Sequence, residues 1–422
     1  MLFRSLDVGL FDIDRIEVLR GPQGTLYGAS TMGGLIKYVS RLPDSTRLSF
    51  DGQFGVSSTR DGGVSYNTAA ALNAPIVADA IALRASAFYS HDGGYFDNLA
   101  LGKDDVNESG VYGGRADLLL TPTDALSVRL TAFLQNISRD GMAAADYTLA
   151  GEPEDGDLDQ RRLLDEPLDQ RFRLVSGVVN YDFEPATLTS VSSYQTSRTH
   201  FLFDFSRRFV PFFTSYGAIG LEQEVSTDKF VQEVRLASQR ADTLEWVIGA
   251  FYTHESSDNR QQFVLRDVAG QQTANILYDF SAPTRFEEAA AFGNLTWHLT
   301  GKLDVSGGMR YAHNKQEFTQ FGSGLLIGST PTRRSSEDVS TFLANARYHL
   351  SDQSTAYVRY ATGYRPGGPN FVANDPTTGL PIAPETFDAD RLKSYEAGIK
   401  AETLDRRDRK STRLNSSHPY RS

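Results

Sequence analysis

His254-Glu255-Ser256-Ser257-Asp258 comes within one residue of HExxH, the spacing that sets two imidazoles on one helix face around zinc. Asp258 stands where the second histidine would be, and the segment leaves a strand for a loop rather than continuing a helix, so no zinc hydrolase site is expected. The acidic run Glu152–Asp159 (EPEDGDLD) carries carboxylates of the kind that bind Ca²⁺, in an order unlike an EF-hand; a solvated loop is the simpler reading. Seven histidines are scattered, with His298 and His349 at the start of turns. The chain has no cysteine, which removes disulfides, thiolate metal sites and cysteine nucleophiles together. Gly21, Gly24 and Gly28 do not form GxGxxG, and no βαβ unit surrounds them. Nothing pairs a nucleophile with a base. The sequence therefore offers no catalytic, metal or cofactor-binding set, and no enzyme is expected.

The elements that would position these residues are strands. The 422 residues are 40% hydrophobic, yet no run approaches the ~18 apolar residues of a spanning helix. Alternating segments lie at 48–56, 64–73, 81–89, 110–120, 126–137, 172–183, 187–198, 228–237, 244–254, 287–299, 303–314, 339–350, 354–362 and 392–402. Short connections (74–80, 121–125, 184–186, 238–243, 300–302, 351–353) alternate with long polar ones (90–109, 138–171, 199–227, 255–286, 315–339, 363–391). That parity, with aromatic residues near strand ends (Tyr181, Tyr194, Tyr252, Trp297, Tyr311, Tyr348, Tyr360), predicts an antiparallel barrel in a lipid bilayer.

Charge supplies a second test, because an arginine at the lipid-facing midplane costs about 2–4 kcal/mol. Leu126, Val128, Leu130, Ala132 and Leu134 oppose Ser127, Arg129, Thr131 and Gln135; Leu303, Val305, Gly307, Met309 and Tyr311 oppose Asp304, Ser306 and Arg310. Arg84, Arg115 with Asp117, Arg347 and Arg359 also fall on the polar parity. Gln232 is a misfit beside Phe230, Val234 and Leu236. The net charge of −11 argues against nucleic acid as a partner.

The segment before the first strand, FDIDRIEVLRGPQGTLYGASTMGGLIKYVSRLPD (Phe11 to Asp44), resembles the end of the plug of TonB-dependent outer-membrane receptors, a pattern like "VEVLRGPxxxLYGxxxxGGxI". Its carriers are Arg20-Gly21-Pro22, Gly24, Leu26-Tyr27-Gly28 and Gly33-Gly34, and Ser394–Lys400 is similar to the "YExGxK" strand of that family. The resemblance implies an all-β transmembrane barrel of about 22 strands, roughly 14 of them here, with the C-terminal remnant of a plug. Residues 1–44 would be the plug end and 45–404 the partial barrel. The basic stretch 405–422, without alternation, reads as a non-native tail or a natural disordered one. With no secretory signal at Met1, and with roughly eight of the family's strands missing by the resemblance, the chain is expected to be truncated at both ends.

By resemblance the function would be energised uptake of a scarce large ligand, foremost a ferric siderophore. Its partners would be outer-membrane lipid and a TonB-type protein acting through a TonB box in the absent N-terminal part. The family also implies plug–barrel ionic contacts, carried here to Arg20, Arg41, Glu233 and Glu396; Arg15, Glu17 and Arg235 lie nearby in sequence, and separate water-filled lumen charges are the alternative. No individual ligand contact is assigned. Phe201-Leu202-Phe203 and Phe212-Phe213 suit a catecholate or macrocyclic ligand, and loop packing explains them equally well. A passive porin and a soluble all-β secreted protein are the alternatives.

Overall fold

A computed structural model of the chain describes residues 9, 11–148, 150–239, 243–325, 328–370, 372, 378, 380–403 and 408–420, with side chains as far as 401. Two antiparallel strands come first, β1 (Ile13–Arg20) and β2 (Gly34–Ser40), linked through the single-turn helix α1 (Gly24–Tyr27). One 16-stranded sheet follows. Its strands are β3 (Ser49–Ser58), β4 (Val64–Val77), β5 (Ile81–Asp92), β7 (Ser109–Thr123), β8 (Leu126–Arg139), β10 (Leu168–Phe183), β11 (Ala186–Asp204), β12 (Tyr216–Ser238), β13 (Leu244–Asp267), β14 (Asp279–Ser281), β15 (Thr284–Thr300), β16 (Leu303–Ser323), β17 (Thr330–Ser351), β18 (Ser354–Arg365), β21 (Asp390–Thr403) and β22 (Asp408–Tyr420). Two short pairs, β6 (Asp97–Asn98) with β9 (Asp159–Gln160) and β19 (Gly368–Pro369) with β20 (Thr386–Phe387), tie down the connections, and α2 (Ser206–Phe209) sits between β11 and β12.

Every pairing in the large sheet is antiparallel, β14 and β15 both lie between β13 and β16, and among the described residues β3 and β22 are its two ends. Burial is inverted relative to a soluble protein. Arg84, Asp117, Gln135, Glu288, Asp304 and Arg310 are buried, whereas Leu130, Leu134, Val175, Val305, Met309 and Val358 are exposed. In β16 the alternation puts Asp304 and Arg310 inside and Val305 and Met309 outside. Lipid solvates the apolar face, and the pairing of each strand with its neighbours satisfies the backbone that water cannot reach. Tyr181, Tyr194, Tyr252, Trp297, Tyr311 and Tyr348 are exposed on that outer face, and Tyr360 packs beside Tyr395 with ring centroids 5.0 Å apart.

All fourteen expected strands are present, but their ends on the long-loop side are not where alternation stops. The connection expected at 199–227 shrinks to 205–215, that at 255–286 to 268–283, and that at 315–339 to 324–329. Strands β12 and β13 run for 23 and 24 residues, more than twice the ~9–11 that cross a bilayer. Above the lipid both faces meet water, so the apolar parity fades while the backbone ladder continues. The segment around His254, expected to leave a strand, lies within β13, and His254 meets Glu287 of β15 at 3.1 Å.

Gln232 is accommodated on the outer face by neighbours of its own kind: it donates to Ser190 Oγ at 3.0 Å and accepts from Ser192. In the stretch set apart as a tail, the backbone of Asp408–Tyr420 pairs with β21 although its sequence does not alternate; residues 405–407 and 421–422 lie outside the described ones. An open sheet edge offers unpaired N–H and C=O groups to any extended chain, whatever its side chains.

Candidate functional site: the plug seat and the outer vestibule

The Arg20–Gly34 loop is closed by its own backbone, with Gly21 N donating to Gly33 O and Gln23 N to Thr31 O, both at 3.0 Å. Gly34 has φ +134°, and a Cβ there would lie 2.2 Å from Leu19 O, so only glycine lets β1 and β2 meet. Gly28, at φ +71°, presses on the barrel: a Cβ would stand 3.0 Å from an Nη of Arg310. Gly21 also has positive φ, Gly24 is buried against Thr362 and Thr341, and Gly33 has open space around it. Leu26 and Tyr27 are exposed.

Three contacts seat this loop on the barrel wall. Arg359 of β18 donates to Pro22 O at 2.7 Å and to Arg20 O at 3.4 Å. Ser30 N donates to Tyr364 O at 2.8 Å. Below Gly28 lies a buried polar knot in which Arg310 donates to Glu288, Tyr364 Oη donates to the other Glu288 oxygen at 3.1 Å, and the Arg310 guanidinium lies over the Phe251 and Phe292 rings at 4.8 and 5.6 Å.

A second seat holds the other end of the plug segment. Asp12, at φ +60°, turns its carboxylate into the wall, where its side chain is 1% exposed. Arg84 Nε donates to both carboxylate oxygens at 3.0 Å; Arg115 donates to Asp12 Oδ2 at 2.5 Å and to its carbonyl at 2.9 Å. Arg115 also donates to Asp117 at 2.9 Å, and Thr131 Oγ1 donates to Asp117 at 2.5 Å. Low local dielectric makes such charge-assisted bonds strong when all partners are present.

The expected ionic set is distributed differently. Arg41 does reach a barrel carboxylate, Asp51 at 3.3 Å. Arg20 contributes its carbonyl rather than its guanidinium. Glu233 pairs with Arg235 of its own strand at 3.4 Å, and Arg15, Glu17 and Lys37 pair with one another inside the plug. Glu396 accepts from Tyr357 of the neighbouring strand at 2.6 Å. The polarity is thus reversed at the best-buried seat: the plug supplies the acid and the wall the arginines. Alternation already placed Arg84 and Arg115 in the lumen; what it lacked was their partner, a lone Asp12 just ahead of β1.

Above the bilayer, aromatic rings form a series along one inner wall: Phe201, Phe203, Phe205, Phe209, Phe263, Tyr278 and Phe280, with successive centroids 4.7, 6.5, 5.9, 5.3, 5.1 and 6.2 Å apart. Phe201, Phe203 and Phe263 share the lumen parity, and all but Phe280 keep part of their surface open. Phe213 instead packs into the buried cluster of Tyr216, Ile219 and Leu265, while Phe212 is exposed. The run at 152–159 holds no converging acids: Asp155 pairs with Arg161 and Glu154 with Arg207, and among the described residues no group could hold a metal.

The 140–167 connection docks on the barrel through Glu166, which accepts from Asp204 N at 2.8 Å and lies 3.4 Å from Arg162. Burial pushes the Glu166 carboxyl above the usual range and outweighs the lowering by Asp204 N–H and Arg162. A carboxyl raised on docking favours the docked state at low pH, and that contribution fades as pH rises from about 4.3 through the shifted value. Amide protection at Leu164 and Asp204, corrected for intrinsic exchange, is therefore expected to fall between acid and neutral pH, and to stay level in Glu166→Gln. Protection that rises with pH would contradict this.

An inward-polar, outward-apolar barrel with a polypeptide seated against its inner wall defines the plugged class of outer-membrane receptors. Residues 112–415 match the TonB dependent receptor-like beta-barrel family and residues 3–35 the TonB-dependent Receptor Plug Domain; the chain belongs to the TonB-dependent receptors of the bacterial outer membrane. It is 31% identical over 407 residues to the pesticin receptor of Yersinia enterocolitica, covering 94% of this chain and 55% of that one. It is 25% identical to the ferric aerobactin receptor of Klebsiella pneumoniae, over 85% of this chain and 52% of the other. The solved ferric yersiniabactin uptake receptor of Yersinia pestis superposes with TM-score 0.80 at 24% identity, covering 97% of this chain and 60% of that one. The chain spans about half the length of the curated relatives it matches.

Proposed function

We propose that this chain is the plug end and barrel of a receptor for energised uptake of a ferric siderophore. One observation carries the reading: a plug segment clamped to the lumen wall beneath a vestibule lined by a continuous series of aromatic rings. A clamped plug closes the pore to passive diffusion, so entry needs work; a TonB-type partner acting on the N-terminal side of the plug would supply it. The names of proteins similar to this chain, the ferric aerobactin receptor and the ferric yersiniabactin uptake receptor, support the same cargo class. Residues 1–44 serve as plug and 45–404 as barrel, and the task involves no bond making on the ligand.

The aromatic wall suits a ligand with flat conjugated rings, which gain about 0.5–1.5 kcal/mol per ring contact beyond area burial. Substituting Phe201, Phe203 and Phe263 together by alanine is expected to weaken binding of an aromatic ferric siderophore roughly tenfold or more, while an aliphatic hydroxamate changes less. Titration of the detergent-solubilised receptor with a panel of both classes, followed by protein fluorescence, reads this. Equal affinity of variant and parent for every aromatic member would sink the site. Uptake of labelled iron that survives collapse of the proton-motive force would sink the energised mechanism.

A further inference from the structure

On the outer face of β10 and β11, three arginines gather where the lipid ends. In β10 the outward positions are Arg171, Arg173, Val175, Gly177, Val179 and Tyr181. Tyr181 marks the inner girdle, and Arg173 is eight residues further along. At about 3.4 Å per residue and a tilt near 40°, that is roughly 20 Å, close to the ~25 Å height of the apolar band. Arg173 therefore stands at the outer rim of the hydrocarbon, with Arg171 just above it.

Arg198 of β11 lies directly across from Arg171 in the ladder. Like charges facing each other in an antiparallel pair repel. Only Arg198 is compensated, by Asp228 at 2.8 Å. Arg173 donates to Gln135 O (3.0 Å), Phe172 O (2.7 Å) and Asn136 Oδ1 (2.8 Å), all neutral acceptors. Arg171 is exposed and has no hydrogen bond or ion pair among the described residues. Asp169, the next outward position, is exposed and likewise makes no ion pair with Arg171. Two uncompensated guanidiniums are left, one just above the other.

Directly beneath them runs an apolar groove of about 580 Å³, walled by Leu118, Leu130, Val175, Tyr194 and Phe230 and floored by Gly177. It continues upward past Leu134 and Thr196 to Arg173 itself. An apolar trough on the lipid-facing surface fits acyl chains. A guanidinium cluster at its upper end fits an oxyanion that forms two parallel hydrogen bonds per arginine. We infer that Arg171, Arg173 and Arg198 bind the phosphate of a phosphorylated acyl lipid of the outer leaflet, of the lipid A class, whose chains lie in the groove below. The inference stands on the outer surface and is independent of the cargo proposed for the vestibule.

The test uses the full chain, extracted in mild detergent and stripped of lipid by exchange, then titrated with bis-phosphorylated hexa-acyl lipid A. Bound lipid per chain is counted by native mass spectrometry. The double variant Arg171→Ala with Arg173→Ala is expected to bind roughly tenfold or more weakly. Arg60→Ala with Arg285→Ala, which loses equal charge elsewhere, should bind like the parent, and Arg171→Lys with Arg173→Lys should retain most of the affinity. Lipid A stripped of its phosphates should bind parent and double variant alike. Equal binding of intact lipid A by parent and double variant would overturn the site. So would displacement of bound lipid A by millimolar inorganic phosphate, which would make the cluster a free-anion site instead. Heat-dependent gel mobility of each variant verifies that its barrel has formed.

Discussion

Replacing Asp12 by alanine is expected to unseat the plug segment and open a leak through the barrel. The carboxylate is the hub of a buried cluster, with Arg84 and Arg115 side chains 6% and 13% exposed. The two arginines are not equally harmed. Arg115 keeps Asp117 at 2.9 Å, but Arg84 is left with Asp51, 3.3 Å away and half in solvent. Removing one partner of a buried ion pair costs about 3–5 kcal/mol, mostly because the other charge is stranded; with Asp51 and Asp117 still present, the lower end, about 3 kcal/mol, applies. Asn at position 12 keeps the shape yet donates toward two donors, so it should fare little better. Asp12→Leu with Arg84→Leu removes the stranded charge and should recover much of the loss, a coupling that a double-mutant cycle measures directly. Sensitivity of cells to an antibiotic too large for porins reports the leak, and exchange of backbone amides in residues 13–20 reports plug seating. Parent-like values for both in Asp12→Ala would show that the plug is held elsewhere.

The strands were legible in the sequence because the bilayer imposes a rule that single residues obey: Leu130 and Leu134 outward, Arg129 and Gln135 inward. That rule lapses where water returns on both faces, and Tyr216–Val225 or Arg260–Asp267, which carry no alternation, were hidden inside strands for that reason. Pairing in β22 was hidden for a different one, since edge recruitment depends on the backbone. The plug loop was recognisable from its glycines, whose need for close approach at Gly28 and positive φ at Gly34 is written in residue type. The seats were not. Which lumen charge meets which plug charge depends on three-dimensional register across 72 to 103 residues of sequence, and opposite-sign residues are too plentiful for sequence to choose among them. Glu233 and Asp12 look alike as letters; only the fold leaves Glu233 paired with Arg235 of its own strand and turns Asp12 into the wall. The aromatic series shows the same division: Phe201 and Phe203 are conspicuous in sequence, but their continuation to Phe263 and Tyr278 exists only across strands.

The larger effect is expected at Glu288. Its side chain and that of Arg310 are 3% and 2% exposed, and the pair joins β15 to β16 with the plug loop pressed on Arg310 at Gly28. Unlike Arg84, Arg310 has no second carboxylate within ion-pair distance among the described residues. Glu288→Ala leaves its charge facing the Phe251 and Phe292 rings, an interaction of about 0.5–2 kcal/mol that does not replace a buried counter-ion. Tyr364 Oη loses its acceptor in the same step. A destabilisation of about 4–5 kcal/mol follows, the upper end for breaking a buried pair. Because β15 and β16 belong to the wall, the loss should appear as a lower unfolding temperature of the barrel, whereas Asp12→Ala should leave that temperature nearly unchanged and alter plug seating alone. Glu288→Met with Arg310→Met tests the cause: two apolar side chains of similar length remove both charges, and burial without charge is close to neutral. If that double variant unfolds as early as Glu288→Ala, hydrogen bonding to Tyr364 and packing under Gly28 hold this part of the wall rather than the ion pair. Recovery of the parent's unfolding temperature, with the plug still exchanging faster, would separate the pair's role in the wall from its role as a platform for the loop.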